Sequence, residues 1–279
     1  MSELSDGIAR IGIRVNESLG RPAVAGLYLP QPVADETFRD EFGFVFLEDG
    51  SVGPFYVSMG GILADLWHRH PEPAACRADV HALLQGFGQD TLADRALALG
   101  AFNALSASLF RRAGFEPPDR APVSGLDGLA PGGTVGMVGY FCPLIDRLLE
   151  RGCQVLVLEL SPERLAQRPG LRSTEDPRDL RDCAHVLCTA STLVNDTLDG
   201  LLATLSGHVA VELVGPSGSG LPDALFERGV VSVGGTRFAD RAALVASLDR
   251  GESWGAAGRK YQLVAAGYPG VDALLGAAH

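Results

Sequence analysis

The chain has 279 residues, 46% of them apolar and 20% charged, with 34 acidic against 23 basic side chains for a formal charge of −11 at pH 7. That length suggests two domains of about 150 residues, and the composition excludes a disordered chain. The acidic balance argues against nucleic-acid and anionic-membrane partners.

The N-terminal stretch MSELSDGIARIGIRV lacks the basic start and apolar run of a signal peptide. No segment offers about 18 consecutive apolar residues for a membrane span. Five cysteines, at 76, 142, 153, 183 and 188, form no C-x-x-C pair. An odd number without that spacing fits reduced thiols in a cytoplasmic protein.

In chain order, Ile8, Ile11 and Val15 mark a first helix. Phe42, Phe44 and Phe46 alternate up to an Asp49-Gly50 turn, and Phe55 and Val57 resume the alternation. This predicts a hairpin with one buried face. Gly60-Gly61 precedes an apolar stretch reaching Trp67. Thr91 and Asp94 resemble a capping box, with Asp in place of Glu. Leu92, Leu99, Phe102, Leu105, Leu109 and Phe110 follow at helical spacing. The first part is therefore α+β. A Pro- and Gly-rich stretch from Gly114 to Gly133 cannot form a regular element and predicts a boundary near residue 120, giving domains 1–120 and 121–279.

Beyond it, short apolar strands alternate with helical segments. The strands are 134–138, 154–158, 185–189, 208–214 and 230–233, and the helices are 143–151, one from Asn195 through Leu205, and 221–228. Strands apolar throughout imply a parallel sheet covered on both faces. In a doubly wound order, ligands bind beyond the C-terminal strand ends at the switch point.

The polar residues at those ends are the candidates, each open to a plainer reading. Gly136 and Gly139 let backbone N–H groups approach an anion at the next helix. G-x-x-G with Cys142-Pro143 after it is only a partial dinucleotide pattern, and it also serves as a tight turn. Glu159 stands 20 residues after Gly139, where an acid accepts ribose hydroxyls, or is a solvated loop carboxylate. The Thr189–Thr197 loop offers Thr189, Ser191, Thr192 and Asn195 for a carboxylate, a phosphate or an oxygen-preferring metal. Asn195 or Thr192 also suits a helix cap. Ser191 lacks the G-x-S-x-G elbow of a nucleophile. The Gly215–Gly220 loop wraps a ligand or merely turns, with Ser217 its residue of interest.

Metal spacing is thin. His68-Arg69-His70 presents two imidazoles together only if extended. Strand alternation puts Cys183 and His185 on one face and Cys188 on the other. Such N/S donors suit zinc or copper-type metals, but thiols in a strand usually belong to a core. Asn103, alone on an apolar helix face, either ties two elements together or reaches into an inter-domain cleft.

Read together, the runs GMVGYFCPLIDRLLERG, VLELSPE, HVLCTASTLVNDTLDGLL, VELVGPSGSGLPDALFERGV and VVSVGGT resemble the putative heavy-metal chelation family over about residues 134–240. The aromatic hairpin and Phe102-Asn103-Ala104 are similar to the N-terminal domain found in that family. The Thr189–Asn195 loop and the Gly215-Pro216-Ser217 turn carry most of the resemblance. It implies an enolase-N-terminal-like α+β domain before a Rossmann-like α/β domain, with a site between them. Carried over, the site residues are Asn103, Gly139, Phe141, Glu159, Thr189, Ser191, Thr192, Asn195, Pro216 and Ser217. The family follows G-P-S with Thr/Ser-Pro, whereas Gly218-Ser219-Gly220 stands here.

The leading expectation is a cytoplasmic protein binding a metal chelate or anionic metabolite in an inter-domain cleft. The cofactor is unidentified; a metal ion is expected ahead of a nucleotide. The alternative is an enzyme using a methyl-donor or nicotinamide nucleotide. A third is a non-catalytic carrier, since no reactive pair can be assigned from spacing. A homodimer is the default assembly.

Overall fold

The computed structural model describes residues 2–32, 41–119, 132–159 and 167–278. Helix α1 (Glu3–Ser18) starts at Ser2, whose side chain accepts from the Ser5 N–H. The phenylalanine alternation becomes β2 (Phe42–Leu47) and β3 (Val52–Tyr56), joined by the expected tight turn. A strand not legible in the sequence, β1 (Val24–Tyr28), adds to β2 to complete an antiparallel β1-β2-β3 sheet. Helices α2 (Ile62–Arg69) and α3 (Val80–Leu84) lead to α4 (Leu92–Arg112), capped by Thr91 through the Asp94 N–H. Helix α4 lies so close on β3 that a Cβ on Gly53 would fall 1.9 Å from the Gly100 carbonyl oxygen.

The hairpin is buried on both faces, which corrects the expectation of one. Cross-strand register puts Phe55 opposite Gly43 and Tyr56 opposite Phe42. Phe55 therefore packs on α4, while Phe42, Phe44 and Phe46 face the other way. That second face is covered from the far end of the chain. Phe238 and Trp254 meet Phe44 and Phe42 edge-on, each at 5.3 Å, and Arg241 lies 4.4 Å over the Phe46 ring.

The later strands are β4 (Thr134–Val138), β5 (Gln154–Leu158), β6 (Leu171–Thr174), β7 (His185–Thr189), β8 (Val211–Val214), β9 (Val230–Phe238) and β10 (Gly258–Val264). They form one seven-stranded sheet in the order β10-β9-β8-β7-β4-β5-β6, parallel except for β10. Strands β6 and β10, at its two edges, are additions to the sequence reading. The order reverses between β4 and β7. Helix α5 (Cys142–Glu150) packs Ile145 and Leu148 on one face with Met137, Val157 and Leu187. Helix α6 (Leu198–Leu205) packs on the other with Val186 and Cys188. Helices α7 (Asp223–Glu227), α8 (Arg241–Asp249) and α9 (Val271–Ala277) complete the chain.

One apolar core joins the two parts. It runs from Leu4 and Ile8 of α1 through Leu99 and Phe102 of α4 to Leu202, Leu213 and Leu274. The expected boundary near residue 120 falls in 120–131, outside the described residues. Among the described residues no helix is long and apolar enough to cross a membrane.

Candidate functional site

The C-terminal ends of β5, β4, β7 and β8 lie side by side, because those strands are neighbours in a parallel sheet. Six of the ten candidate residues occupy that edge and are half-buried: Glu159, Gly139, Phe141, Thr189, Ser191 and Pro216. Gly139 takes φ +88°, and a Cβ there would stand 3.0 Å from the Thr189 methyl. Any other residue would thus be strained and would press on β7. Thr189 Oγ1 and Ser191 Oγ lie 2.9 Å apart, and Thr189 Oγ1 also accepts from the Ser191 N–H at 3.3 Å. One hydroxyl donates to the other, leaving a donor to point outward. Helix α5 begins beside this pair at Phe141, with Pro143 in its first turn and no side chain capping its end. Pro143 has no N–H and the Leu144 N–H donates to Phe141 O at 3.0 Å, which leaves the Cys142 N–H at the start of the helix.

The other four candidates are engaged by the protein's own hydrogen bonds, with Asn103, Thr192 and Ser217 buried and Asn195 half-buried. Thr192 is buried and donates to the Thr189 carbonyl at 2.6 Å. Asn195 Oδ1 accepts from the Thr197 hydroxyl at 2.6 Å and from its N–H at 3.3 Å, closing a turn just before α6. Asn103 is 1% exposed and donates both amide hydrogens to backbone, to Pro54 O at 2.7 Å and Ser217 O at 3.0 Å. Ser217 Oγ accepts from the Tyr56 N–H at 3.0 Å. Asn103 and Ser217 thus tie the first part to the second.

Nor is the glycine loop loose. Ser217 through Leu221 are buried. Ser219 Oγ accepts from the Thr236 N–H at 2.9 Å, and Ser219 O accepts from the Tyr261 hydroxyl at 2.8 Å. The Leu221 N–H donates to Ser106 Oγ at 3.0 Å. Gly220 is needed for space, since a Cβ there would meet Phe102 at 2.3 Å. Where sequence composition suggested a loop free to wrap a ligand, glycine instead lets α4 and the β8 turn interlock. A crevice of about 10 Å³ remains at this joint, lined by Asn103, Ser217 and apolar side chains.

Asp196, next to Asn195, was missed by sequence reasoning. It is a non-glycine residue at φ +59°. Its carboxylate accepts from Ser2 N at 3.0 Å, and from the Ser2 and Ser5 hydroxyls at 2.6 Å each, with Arg95 at 3.8 Å. Burial works to raise its pKa, but these hydrogen bonds and the Arg95 charge prevail and hold it below the usual carboxylate range. It fastens the start of α1 to the candidate loop. Its one sequence signal is the N-D-T turn, and its Ser2 and Ser5 partners lie 194 and 191 residues away.

The metal clusters suggested by spacing do not assemble. His68 lies in α2 and His70 ends it, so the segment is not extended. Cys183 lies beside Val186 under Gly136, on the Cys188 face, whereas His185 turns to the opposite face beside Glu212 at 3.7 Å. The predicted alternation fails because β7 begins only at His185. Burial pushes the Cys188 thiol up to about 12 and raises Cys183 as well, which disfavours the free thiolate at both. Among the described residues, no group of three or more His, Cys, Asp or Glu side chains could hold a metal ion.

The DUF364 family, described as "Putative heavy-metal chelation", matches residues 123–266. Two solved structures titled as proteins of unknown function from that family are similar over the whole fold. The one from Pyrococcus horikoshii shares 16% identity at a TM-score of 0.65, covering 92% of this chain and 99% of its own. The one from Desulfitobacterium hafniense shares 18% at 0.63, covering 93% and 98%. No curated protein matches the chain.

Proposed function

The chain belongs to the DUF364 family, and from that premise we propose that it binds a small anionic metabolite, or a metal already held by an oxygen-rich chelator. The site is the crevice where the strand order reverses between β4 and β7. The observation that carries this reading is the half-buried Thr189–Ser191 hydroxyl pair beside the left-handed Gly139 at the uncapped start of α5. The Cys142 N–H and the helix dipole favour an anionic group there. The outward hydroxyl donates to it, and Glu159 at the end of β5 accepts from ligand hydroxyls. Phe141 and Pro216 wall the two sides, while Asn103, Thr192, Asn195 and Ser217 set the backbone that presents them. A chelator brings the metal's donor atoms with it, which agrees with a chain whose own thiols are dispersed and partly buried.

The order β6-β5-β4-β7-β8-β9 supports a Rossmann-like reading of the second part. The three-stranded sheet backed by α4 and α1 supports an enolase-N-terminal-like reading of the first, with units 1–120 and 121–279. A second reading, an enzyme with a nucleotide cofactor, is favoured by Glu159 closing the strand next to β4.

Native mass spectrometry of gently purified protein, beside the same sample denatured, tests the proposal. A retained mass that is lost on denaturation, and lost from native Ser191→Ala and Gly139→Val variants, is the expected result. A ligand held equally by both folded variants overturns it. A nicotinamide or methyl-donor nucleotide as the retained mass, or a shift in Tm with either at saturation, establishes the second reading instead.

A further inference from the structure

We propose that the joint between α4 and the turn after β8 is a binding site for one internal water molecule, held by Asn103 Oδ1 and the Ser217 hydroxyl. The inference is independent of the ligand proposed above.

A side-chain amide has two donors and one acceptor oxygen. Both Asn103 donors are used, on Pro54 O and Ser217 O. Its Oδ1 is buried and finds no hydrogen-bond partner. Turning the amide over does not cure this, because the oxygen would then face two carbonyl oxygens. The network fixes the orientation and leaves an acceptor in want of a donor.

The crevice beside it has about 10 Å³, roughly the room that one water needs. Its other walls are mostly apolar, among them Ile8, Leu99, Phe102 and Leu193. No organic ligand fits that volume. A metal cation needs several oxygen ligands and finds no carboxylate among the lining residues. An anion would face the bare Oδ1. Water is the species left, and Ser217 supplies its second partner. Ser217 Oγ already accepts from the Tyr56 N–H, so its own O–H is available to donate to the water. The water then donates to Asn103 Oδ1. Two polar partners meet the lower limit for a buried water.

A high-resolution crystal structure of the full chain tests the assignment, together with water-to-amide cross-relaxation in the labelled protein at Gly220 and Leu221. The expected result is a single water within hydrogen-bond distance of both Asn103 Oδ1 and Ser217 Oγ. Its cross-relaxation should show a residence beyond the nanosecond range. Ser217→Ala keeps the carbonyl that Asn103 uses, so the joint should stay closed while the water is lost or loses its long residence. An ordered wild-type map with nothing at that position overturns the proposal. So does a water that remains unchanged in Ser217→Ala and Asn103→Leu.

Discussion

Gly220→Ala adds one methyl group at the tightest point of the interlock. Its Cβ would lie 2.3 and 2.5 Å from two Phe102 ring carbons and 2.9 Å from Asn103 Oδ1. Apolar carbons rest about 3.5–4.0 Å apart, so the ring must retreat by more than about 1 Å. It has nowhere easy to go: Phe102 is 2% exposed, and its ring meets Phe87 edge-on at 6.5 Å between centroids. Overpacking of this kind costs about 1–3 kcal/mol. The backbone at Gly220 is not left-handed, so alanine adds no φ strain. It also narrows the unfolded ensemble, offsetting about 0.4–1 kcal/mol. The net expectation is a loss of about 1–2 kcal/mol, read by urea denaturation, and a Tm lower by about 3–5 °C. Phe102→Leu should relieve the clash. The double variant is therefore expected to be more stable than the sum of the two single losses by about 1 kcal/mol or more. A Gly220→Ala protein within about 0.5 kcal/mol of wild type, or an additive cycle, would refute the steric interlock.

Asn16 is 1% exposed, and neither its Oδ1 nor its Nδ2 finds a hydrogen-bond partner; Asn16→Leu is therefore expected to raise stability by about 1–3 kcal/mol in urea denaturation, and a loss would show an unrecognised partner. Asp196→Asn should weaken the fold at pH 7 by about 1–2 kcal/mol, because charge-assisted bonds from Ser2 and Ser5 become neutral ones. Since the folded-state pKa is lowered, that contribution is present above the unfolded value near 4 and fades as pH falls through the folded one; a stability gap equal at pH 7 and pH 3 would contradict it. With a thiol-reactive dye, the exposed Cys142 should react first and the half-buried Cys76 more slowly, with Cys153, Cys183 and Cys188 waiting for denaturant. Cadmium added to the native protein should raise no thiolate charge-transfer band, and a strong stoichiometric band would overturn the case against a soft-metal site.

What the sequence made legible is what neighbours in the chain decide. The apolar runs at 134–138, 154–158 and 185–189 are strands because three or four consecutive apolar residues need cover on both faces. Thr91 caps α4 because its partner is three residues away. Gly139, Glu159, Thr189 and Ser191 were found on the same local grounds, while Phe141 and Pro216 came from the family resemblance. β1 was missed because Val24-Ala25-Gly26-Leu27-Tyr28 has little pattern of its own, and its burial comes from pairing with β2. β10 was missed because Arg259 and Lys260 hide an edge strand that only β9 organises. Asn103 was singled out correctly as anomalous, but its role depends on Pro54 and Ser217, 49 and 114 residues distant.

The glycine loop shows why composition alone cannot separate a ligand loop from an interlock. Gly139 and Gly220 both close strand-end turns, and both are needed. At Gly139 the constraint is a left-handed backbone at a half-buried edge, where a Cβ would meet Thr189 at 3.0 and 3.2 Å and the Phe141 ring at 3.8 Å. At Gly220 the missing Cβ is replaced by the protein's own Phe102 ring. Gly220 is buried in the joint, where the fold leaves room for no organic ligand, whereas Gly139 is half-buried on a strand-end edge that solvent still reaches. That difference moves the candidate site away from Asn103 and Ser217 and toward Gly139, Thr189 and Ser191. Variants of Thr189 and Ser191 should accordingly change what is bound before they change stability, and variants of the first set should do the reverse.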